Sequence, residues 1–336
     1  MKSNLPLSVA VAAALLAAPI AQAATPTQAT AGKHVTAKKK VKTSRAKVPP
    51  KQVAAAQTPQ LKLPQQTISA ARPSPGLDEW LTAGDHRFTI QQDGLTRSYR
   101  VHVPPRYRPT ETTPLLVALN SYRGAQPTDD GFDSLLRASD YQGFIAVYPD
   151  AYGPRGKPAA WNMGNGPGND VAFIAKVVHN VFRQTSVDRG RIYAAGVSDG
   201  GTMAYRLACQ LPDVFRGVAS VGGMDTSTNC AEGKAVSVFH LHAQNDPKVP
   251  FSTAPLTTAK WAQLNGCELA PRKVLQQSGA YCEAYTYCRS RTAVELCATQ
   301  TGGHSWPGAN AKAGAGDVPS QAIDGTASMW AFLRTH

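Results

Sequence analysis

Short hydrophobic runs alternate with amphipathic segments through residues 78–336 of this 336-residue chain. The runs are continuous rather than alternating, which is typical of strands buried on both faces of a sheet. Five runs have this character: Leu115–Leu119, Phe144–Tyr148, Arg191–Ala195, Gly217–Val221 and Val236–Leu241. Helical periodicity follows or separates them at 131–138, 170–182, 202–211, 257–264 and 320–333. This alternation predicts a mostly parallel sheet with helices on both faces.

The start of the predicted domain has a different pattern. Arg87–Gln92 and Thr96–Val103 alternate apolar and polar residues on either side of Asp93-Gly94, which is a hairpin signal. A leading antiparallel hairpin that feeds a parallel sheet is the plan of the α/β-hydrolase fold. We therefore predict one α/β-hydrolase domain over residues 78–336, since about 260 residues suit a single domain of this class.

Two further segments precede that domain. Lys2, the apolar stretch Leu7–Ala18 and the small residues Ala21-Gln22-Ala23 predict a signal peptide over 1–23, hence a secreted or periplasmic protein. The apolar stretch is short for a membrane span, and we expect no transmembrane segment in the mature chain. Residues 24–77 are rich in Ala, Thr, Gln, Pro and Lys and lack aromatic residues, which predicts a disordered basic linker.

The net charge of +13 is unevenly distributed. Eleven of the 35 Lys and Arg residues, and none of the 22 acidic residues, precede Asp78. The folded part is therefore close to neutral, and we expect no nucleic-acid partner. Two interpretations of the basic linker stay open: adhesion to an anionic envelope surface, or a solvating spacer without a partner.

Six cysteines lie in the predicted domain, and an even count in an exported protein indicates disulfides. Fifteen full pairings exist for six cysteines. Segments 281–287 and 293–299 predict a second hairpin, whose register places Cys282 near Cys297. Cys209 and Cys230 flank a predicted strand, and Cys267 and Cys288 remain. We expect neither a metal nor a cofactor, because Cys-x-x-Cys pairs and histidines at ligand spacing from these cysteines are missing from the sequence.

The pentapeptide Gly196-Val197-Ser198-Asp199-Gly200 lies between a predicted strand and a predicted helix. In this context the G-x-S-x-G pattern indicates a nucleophile elbow, with Ser198 as the nucleophile. The turn is tight, which explains the glycines at both ends. A serine hydroxyl needs a general base within hydrogen-bond reach, so a histidine must be found.

His304 is the predicted base and Asp246 the predicted orienting acid. His304 lies in a Gly-rich loop after the strand that ends near Thr299, and Asp246 follows the strand Val236–Leu241. The order Ser, Asp, His is that of α/β hydrolases. Among the rivals, His240 and His242 share one strand face and are predicted to be structural.

Other acidic residues are weaker candidates for the orienting acid. Asp170 is predicted to cap the helix after it. Asp213 and Asp225 lie in loops, and no predicted strand end orients their side chains.

Several stretches together resemble a known family. They are Tyr148-Pro149-Asp150, Trp161-Asn162, Asn169–Ile174, the elbow with Arg206–Cys209, and Gly302–Gly308. With them the chain resembles, from about Phe88 to His336, the secreted esterase family that includes poly(3-hydroxybutyrate) depolymerases, feruloyl esterases and acetylxylan esterases. The resemblance implies Ser198, Asp246 and His304 as the triad and a carboxylic ester as the substrate.

The predicted oxyanion hole consists of backbone N–H groups. One belongs to Asp199, after the nucleophile, and the other to the loop after the strand Leu115–Leu119. Members of the family usually carry His-Gly followed by Cys in that loop, whereas this chain has Asn120-Ser121-Tyr122. By position the second donor is Tyr122, whose side chain adds bulk beside the acyl site.

Trp306, Trp161 and Asn162 are candidates for the substrate cleft, and core packing is the alternative for both indoles. Polyester and polysaccharide esters both remain open as substrates. Two other functions stay open beside the esterase: a peptidase on the same fold, and a non-catalytic envelope- or polysaccharide-binding homologue.

Overall fold

A computed structural model of the chain describes residues 80–121, 130–152, 160–164, 166–231, 233–310 and 317–336. All of them belong to the compact unit Ala70–His336. The predicted signal peptide at 1–23 and the predicted linker at 24–77 lie outside the described residues. Among the described residues, none of the helices combines the length and apolar composition needed to cross a bilayer.

The described residues form one ten-stranded sheet with five helices. The strands are β1 (Gly84–Gln92), β2 (Leu95–Val103), β3 (Thr113–Leu119), β4 (Ile145–Pro149), β5 (Val187–Val197), β6 (Gly217–Val221), β7 (Ser237–Ala243), β8 (Arg272–Gln277), β9 (Ala280–Tyr285) and β10 (Val294–Thr299). The helices are α1 (Asp130–Gln142), α2 (Asp170–Gln184), α3 (Asp199–Gln210), α4 (Thr253–Asn265) and α5 (Gly325–Thr335).

The strand order is β1-β2-β4-β3-β5-β6-β7-β10-β9-β8. The six central strands pair in parallel, and they are β4, β3, β5, β6, β7 and β10. The strands β1 and β2 at one edge, and β9 and β8 at the other, pair antiparallel. The predicted mostly parallel sheet with a leading hairpin is confirmed. Asp93 and Gly94 both have positive φ, at 50° and 77°, as the predicted two-residue turn requires.

Two hydrophobic cores cover the two faces of the sheet. One core contains buried residues of α2, α3 and α4, such as Phe173, Met203 and Trp261. The other contains residues of α1 and α5, such as Leu135 and Trp330. Strands β3 to β7 are buried on both faces because helices pack on each, which explains their continuous apolar sequences.

The edge strand β8 is not evident from the sequence. Its residues, Arg272–Gln277, are mostly polar and exposed, so the hydrophobic pattern contains no signal for it. Backbone pairing with β9 holds it in the sheet. Helix α5 also begins later than predicted, at Gly325. Asp324 is its N-cap residue, and the Asp324 side chain accepts a hydrogen bond from the N–H of Ala327.

Three disulfides join Cys209 to Cys230, Cys267 to Cys288, and Cys282 to Cys297. The pairs Cys209–Cys230 and Cys282–Cys297 are those that the local sequence arguments favoured, and Cys267–Cys288 is the pair that remained. Cys282 and Cys297 lie directly opposite each other in the β9–β10 pairing. The other two pairs each close a loop of the same length, since both join residues 21 positions apart.

The interpretation of Asp170 as a helix cap was wrong. Asn169 occupies the cap position, and its Oδ1 accepts a hydrogen bond from the N–H of Ala172 at 2.8 Å. Asp170 is the first residue of α2, fully buried, and its Oδ1 is 2.5 Å from Nη2 of Arg97 on β2. The helix start is therefore joined to the hairpin by a buried ion pair.

Candidate active site

Ser198 sits at a strained turn between β5, which ends at Val197, and α3, which begins at Asp199. Its backbone has φ 54° and ψ −121°, a conformation that non-glycine residues rarely adopt. The N–H of Ser198 donates to the carbonyl of Val221, at the end of β6, at 2.9 Å. This is the geometry that the G-x-S-x-G pattern predicts for a nucleophile elbow.

The two glycines of the elbow are sterically required. A side chain at Gly196 would overlap the backbone of Gly200, and one at Gly200 would overlap the carbonyl of Leu119 at the end of β3. The strand, the turn and the first turn of α3 thus approach each other at backbone distance. The predicted reason for these glycines, a turn too tight for side chains, agrees with these contacts.

His304 lies in the loop after β10. Its N–H donates to Oδ2 of Asp317 at 3.0 Å, and the neighbouring N–H of Gly303 donates to Oδ1 of Asn245 at 3.0 Å. Gly303 has φ 57° and packs directly on the Asp317 side chain. These contacts attach the His304 backbone to two other loops, so that the imidazole has little freedom.

Asp246 follows β7 and accepts four hydrogen bonds or close N–H contacts. Oδ1 accepts from the N–H groups of Lys248 and Val249 at 2.8 and 2.9 Å. Oδ2 lies 2.7 Å from Nδ1 of His304 and 3.2 Å from Nε2 of His242. Burial disfavours the carboxylate, but the donors from Val249, His304 and Lys248 outweigh it, so that the pKa of Asp246 lies below its ordinary value.

The far nitrogen of His304 is available for chemistry. Nε2 is buried and has no hydrogen-bond partner among the described residues, whereas Nδ1 is fixed by Asp246. Gly222, directly after Val221, packs against the pair: a Cβ there would lie 3.3 Å from Oδ2 of Asp246 and 3.4 Å from Nδ1 of His304. The end of β6 therefore touches both the backbone of Ser198 and the His304–Asp246 pair.

One predicted oxyanion donor can be placed. Asp199 begins α3, where the first N–H groups of a helix have no intrahelical acceptor. The other predicted donor, Tyr122, lies outside the described residues. Asn120 at the end of β3 leads into that loop, and its carbonyl accepts from Nε1 of Trp161 at 2.8 Å.

The cleft candidates are largely occupied by internal contacts. Trp161 and Trp306 are 7% and 5% exposed, and each belongs to one of the two cores. Nε1 of Trp306 donates to Oγ1 of Thr326 at 3.0 Å. Asn162 uses Oδ1 and Nδ2 within its own turn, for the N–H of Gly164 and the carbonyl of Gly168. Core packing, the alternative for both indoles, is the better description.

Sequence reasoning missed the connection of His242 to the site. Both His240 and His242 are buried, as expected of structural residues, yet Nε2 of His242 reaches the carboxylate of Asp246. The signal was the four-residue spacing between His242 and Asp246 across the strand end. Likewise, Asp225 has a partner that the sequence did not reveal, because it pairs with Lys260 at 2.7 Å.

One group of possible metal ligands occurs among the described residues: Cys282, Glu295 and Cys297. The two sulfurs are bonded to each other, so neither can serve as a thiolate ligand. Burial raises the pKa of Glu295 to about 7. This cluster is therefore a disulfide beside a partly buried carboxyl group rather than a metal site.

The strand order and the flanking helices are those of the α/β-hydrolase fold, and the loops after β5, β7 and β10 carry Ser198, Asp246 and His304. A solved acetyl xylan esterase from Aspergillus awamori has a similar fold, with a TM-score of 0.55 and 16% identity over 75% of this chain and 100% of that chain. Residues 97–256 match the family described as esterase PHB depolymerase. This match covers 160 of the 336 residues, from β2 into α4, and in this part the chain is similar to that esterase family.

Curated relatives also carry esterase names. A Nocardia uniformis subsp. tsuyamanensis protein named "Putative esterase NocK" is 34% identical over 49% of this chain and 50% of its own length. Feruloyl esterase B of Piromyces equi is 27% identical over 62% of this chain and 42% of its own length. The chain thus spans about half, or less, of the length of these two relatives.

Proposed function

We propose that this protein is a serine esterase that hydrolyses carboxylic esters through an acyl-enzyme. The observation that carries the proposal is the His304–Asp246 pair, fixed at 2.7 Å, whose Nε2 is unpartnered among the described residues. It lies against the same strand end that holds the strained Ser198 turn. A base fixed on one side and available on the other is what a weak hydroxyl nucleophile requires.

The roles follow from the atoms. Oγ of Ser198 attacks the ester carbonyl while Nε2 of His304 takes the hydroxyl proton, and Asp246 stabilises the resulting imidazolium. The tetrahedral oxyanion accepts hydrogen bonds from the N–H groups of Asp199 and Tyr122. His304 then protonates the leaving alcohol as the ester C–O bond breaks. Water repeats the sequence on the acyl-enzyme and releases the acid with a free Ser198.

The decisive experiment compares the wild type with Ser198→Ala on p-nitrophenyl acetate and butyrate. We expect turnover by the wild type and a loss of at least about 10³-fold in the variant. Ser98→Ala is a matched control, because this exposed hydroxyl bonds only Asp150 of a neighbouring strand end. Turnover no higher than background in both the wild type and Ser198→Ala would refute the esterase and favour the non-catalytic binding homologue. Equal turnover above background in both would refute Ser198 as the nucleophile.

The names of the relatives support three candidate substrates: feruloyl esters and acetyl esters of polysaccharides, and hydroxybutyrate esters. Methyl ferulate, acetylated xylan and hydroxybutyrate oligomers separate these possibilities by kcat/KM. Because both indoles of the candidate cleft are buried, we expect no strong preference for an aromatic acyl group. Preferential hydrolysis of methyl ferulate would contradict that expectation.

We also propose export and a role for the basic linker. Three disulfides in the folded part are typical of oxidising compartments. The excess of Lys and Arg before Asp78 favours attachment to an anionic surface. Cosedimentation with anionic vesicles should decline with salt and vanish on deletion of 24–77, with ester turnover unchanged. Equal cosedimentation with and without the segment would favour the spacer interpretation.

A further inference from the structure

A chain of buried polar side chains extends from α3 to the carboxylate of Asp246. The hydroxyl of Tyr205 bonds Nδ1 of His240, and Nε2 of His240 lies 2.9 Å from Nδ1 of His242. Nε2 of His242 then lies 3.0 Å from the carbonyl of Val249 and 3.2 Å from Oδ2 of Asp246. The side chains of Tyr205, His240 and His242 are all buried.

The direction of each hydrogen bond in this series of side chains is determined by the last acceptor, the carbonyl of Val249. A carbonyl can only accept, so Nε2 of His242 carries the proton and donates to Val249 and Asp246. In a neutral imidazole the other nitrogen then accepts, so Nδ1 of His242 accepts from Nε2–H of His240. By the same reasoning Nδ1 of His240 accepts the O–H of Tyr205. Every donor therefore points toward Asp246.

Both histidines are held neutral, as this arrangement requires. Burial and the neighbouring His242 lower the pKa of His240 to about 3. Burial also lowers the pKa of His242, and the nearby His304 adds to this, against the opposing effects of Val249 and Asp246. Asp225 is a further charged group that faces the far end, at Tyr205.

We propose that His242 is a positioning residue that fixes Oδ2 of Asp246 against Nδ1 of His304, with His240 and Tyr205 holding His242 in its Nε2–H form. The proposal rests on the esterase function proposed above. Oδ1 is already held by two backbone N–H groups, whereas Oδ2 has two imidazole donors. Without His242, Oδ2 of Asp246 would keep only the hydrogen bond from His304. The carboxylate would then be less restrained at the oxygen that orients His304.

The kinetic test uses His242→Leu, which keeps the bulk and removes the donor, and His242→Gln, whose amide can donate at a similar position. We expect kcat to fall about 10- to 100-fold in His242→Leu with KM unchanged, since the lost bond is to a charged group. We expect His242→Gln to recover most of kcat. Tyr205→Phe should lower kcat less than threefold, because it acts two bonds further away.

A structural role alone would give a different result. Ser139→Ala is the control, because it removes another buried hydrogen bond, to the carbonyl of Phe144, far along the chain from these strand ends. It should lower stability without changing kcat. If His242→Leu keeps the wild-type kcat, or if His242→Gln is no better than His242→Leu, the positioning role is wrong.

A second readout does not depend on turnover. In ¹⁵N-labelled wild-type protein, NMR should show Nε2–H and an unprotonated Nδ1 for both His240 and His242 at neutral pH. An Nδ1–H form of His242, or an imidazolium at neutral pH, would overturn the proposal even if no His242 variant folds. Absence of turnover in the wild type, with these tautomers present, would refute the proposed esterase and leave the hydrogen-bond chain standing.

Discussion

Among the regions of the described chain that bury a carboxylate, two use it differently. Asp246 at the end of β7 and Asp170 at the start of α2 have side chains that are 1% and 0% exposed. Asp246 faces His304 and His242, which are both titratable, whereas Asp170 faces Arg97, which is permanently charged. Burial of a carboxylate alone therefore does not indicate a role in catalysis. A histidine partner can take up and release a proton, whereas an arginine partner cannot.

The two environments also shift the carboxyl groups in opposite directions. Asp246 has a lowered pKa because backbone donors and His304 outweigh its burial. The pKa of Asp170 is raised, because burial outweighs the charge and hydrogen bond of Arg97 and the N–H of Asn162. Arg97 is held in place by more than this pair, since its guanidinium stacks 3.9 Å above the ring of Phe173. The Asp170 region is thus a cross-link between the hairpin and α2.

The largest expected difference between the regions concerns turnover. Asp246→Asn should lower kcat by about 10⁴-fold, because an amide favours the wrong tautomer of His304. Asp170→Asn should leave kcat of the folded protein within a few-fold of wild type. Steady-state kinetics on p-nitrophenyl butyrate, with circular dichroism to establish folding, measures both. A loss of less than tenfold in Asp246→Asn would remove the distinction.

The next effect concerns stability. Arg97→Met leaves Asp170 buried without its cation and should lower the free energy of unfolding by about 3–5 kcal/mol. Arg97→Met with Asp170→Leu should recover most of this, because no unpaired charge remains. Urea unfolding compares the two. A double variant as unstable as the single variant would mean that the ion pair itself, rather than the orphaned charge, accounts for the loss.

The pH dependence separates the two carboxylates by sign. The contribution of Asp246 to stability is complete above its unfolded pKa near 3.8 and is lost as pH falls through its lower folded value. The contribution of Asp170 is complete below 3.8 and is lost as pH rises through its higher folded value. The stability difference between wild type and Asp246→Asn should therefore shrink on acidification, and that for Asp170→Asn should grow. Each slope is at most about 1.4 kcal/mol per pH unit.

The smallest expected effect tests how tightly the Asp246 region is packed. Gly222→Ala places a Cβ 3.3 Å from Oδ2 of Asp246 at a residue with φ 58°, and should lower both stability and, severalfold, kcat. Gly233→Ala is the matched control, with φ 78° and no atom within 4 Å of the new Cβ. It should cost about 1–2 kcal/mol of stability with kcat unchanged. Equal kcat in both variants would show that the pair tolerates displacement.

The two carboxylates also show how far the sequence alone could predict the site. Asp246 was predicted as the orienting acid because it follows a buried strand and precedes His304 in the expected order. Asp170 was misassigned, because a residue near a helix start usually caps it and its partner Arg97 is 73 positions away in the chain. Similarly, His242 was expected to be structural as a strand residue, and its four-residue spacing from Asp246 was not used as a signal.

The features that depend on neighbouring residues or on simple periodicity could be predicted from the sequence. Asp93-Gly94 specifies the hairpin turn, continuous apolar runs specify the central strands, and Gly196 and Gly200 specify the elbow. Register then follows from the turn, which is why Cys282 could be paired with Cys297.

Which distant groups meet depends on the packing of the whole chain and could not be predicted. The loop after β7 turns back because Oδ1 of Asp246 bonds the N–H groups of Lys248 and Val249, and this turn brings Oδ2 to both His242 and His304. The polar edge strand β8 likewise exists through pairing with β9 rather than through burial of its own residues. A buried polar group needs a partner, but neither the charge nor the hydrophobic pattern of the sequence specifies which distant residue that partner is. The partner depends on how the whole chain packs.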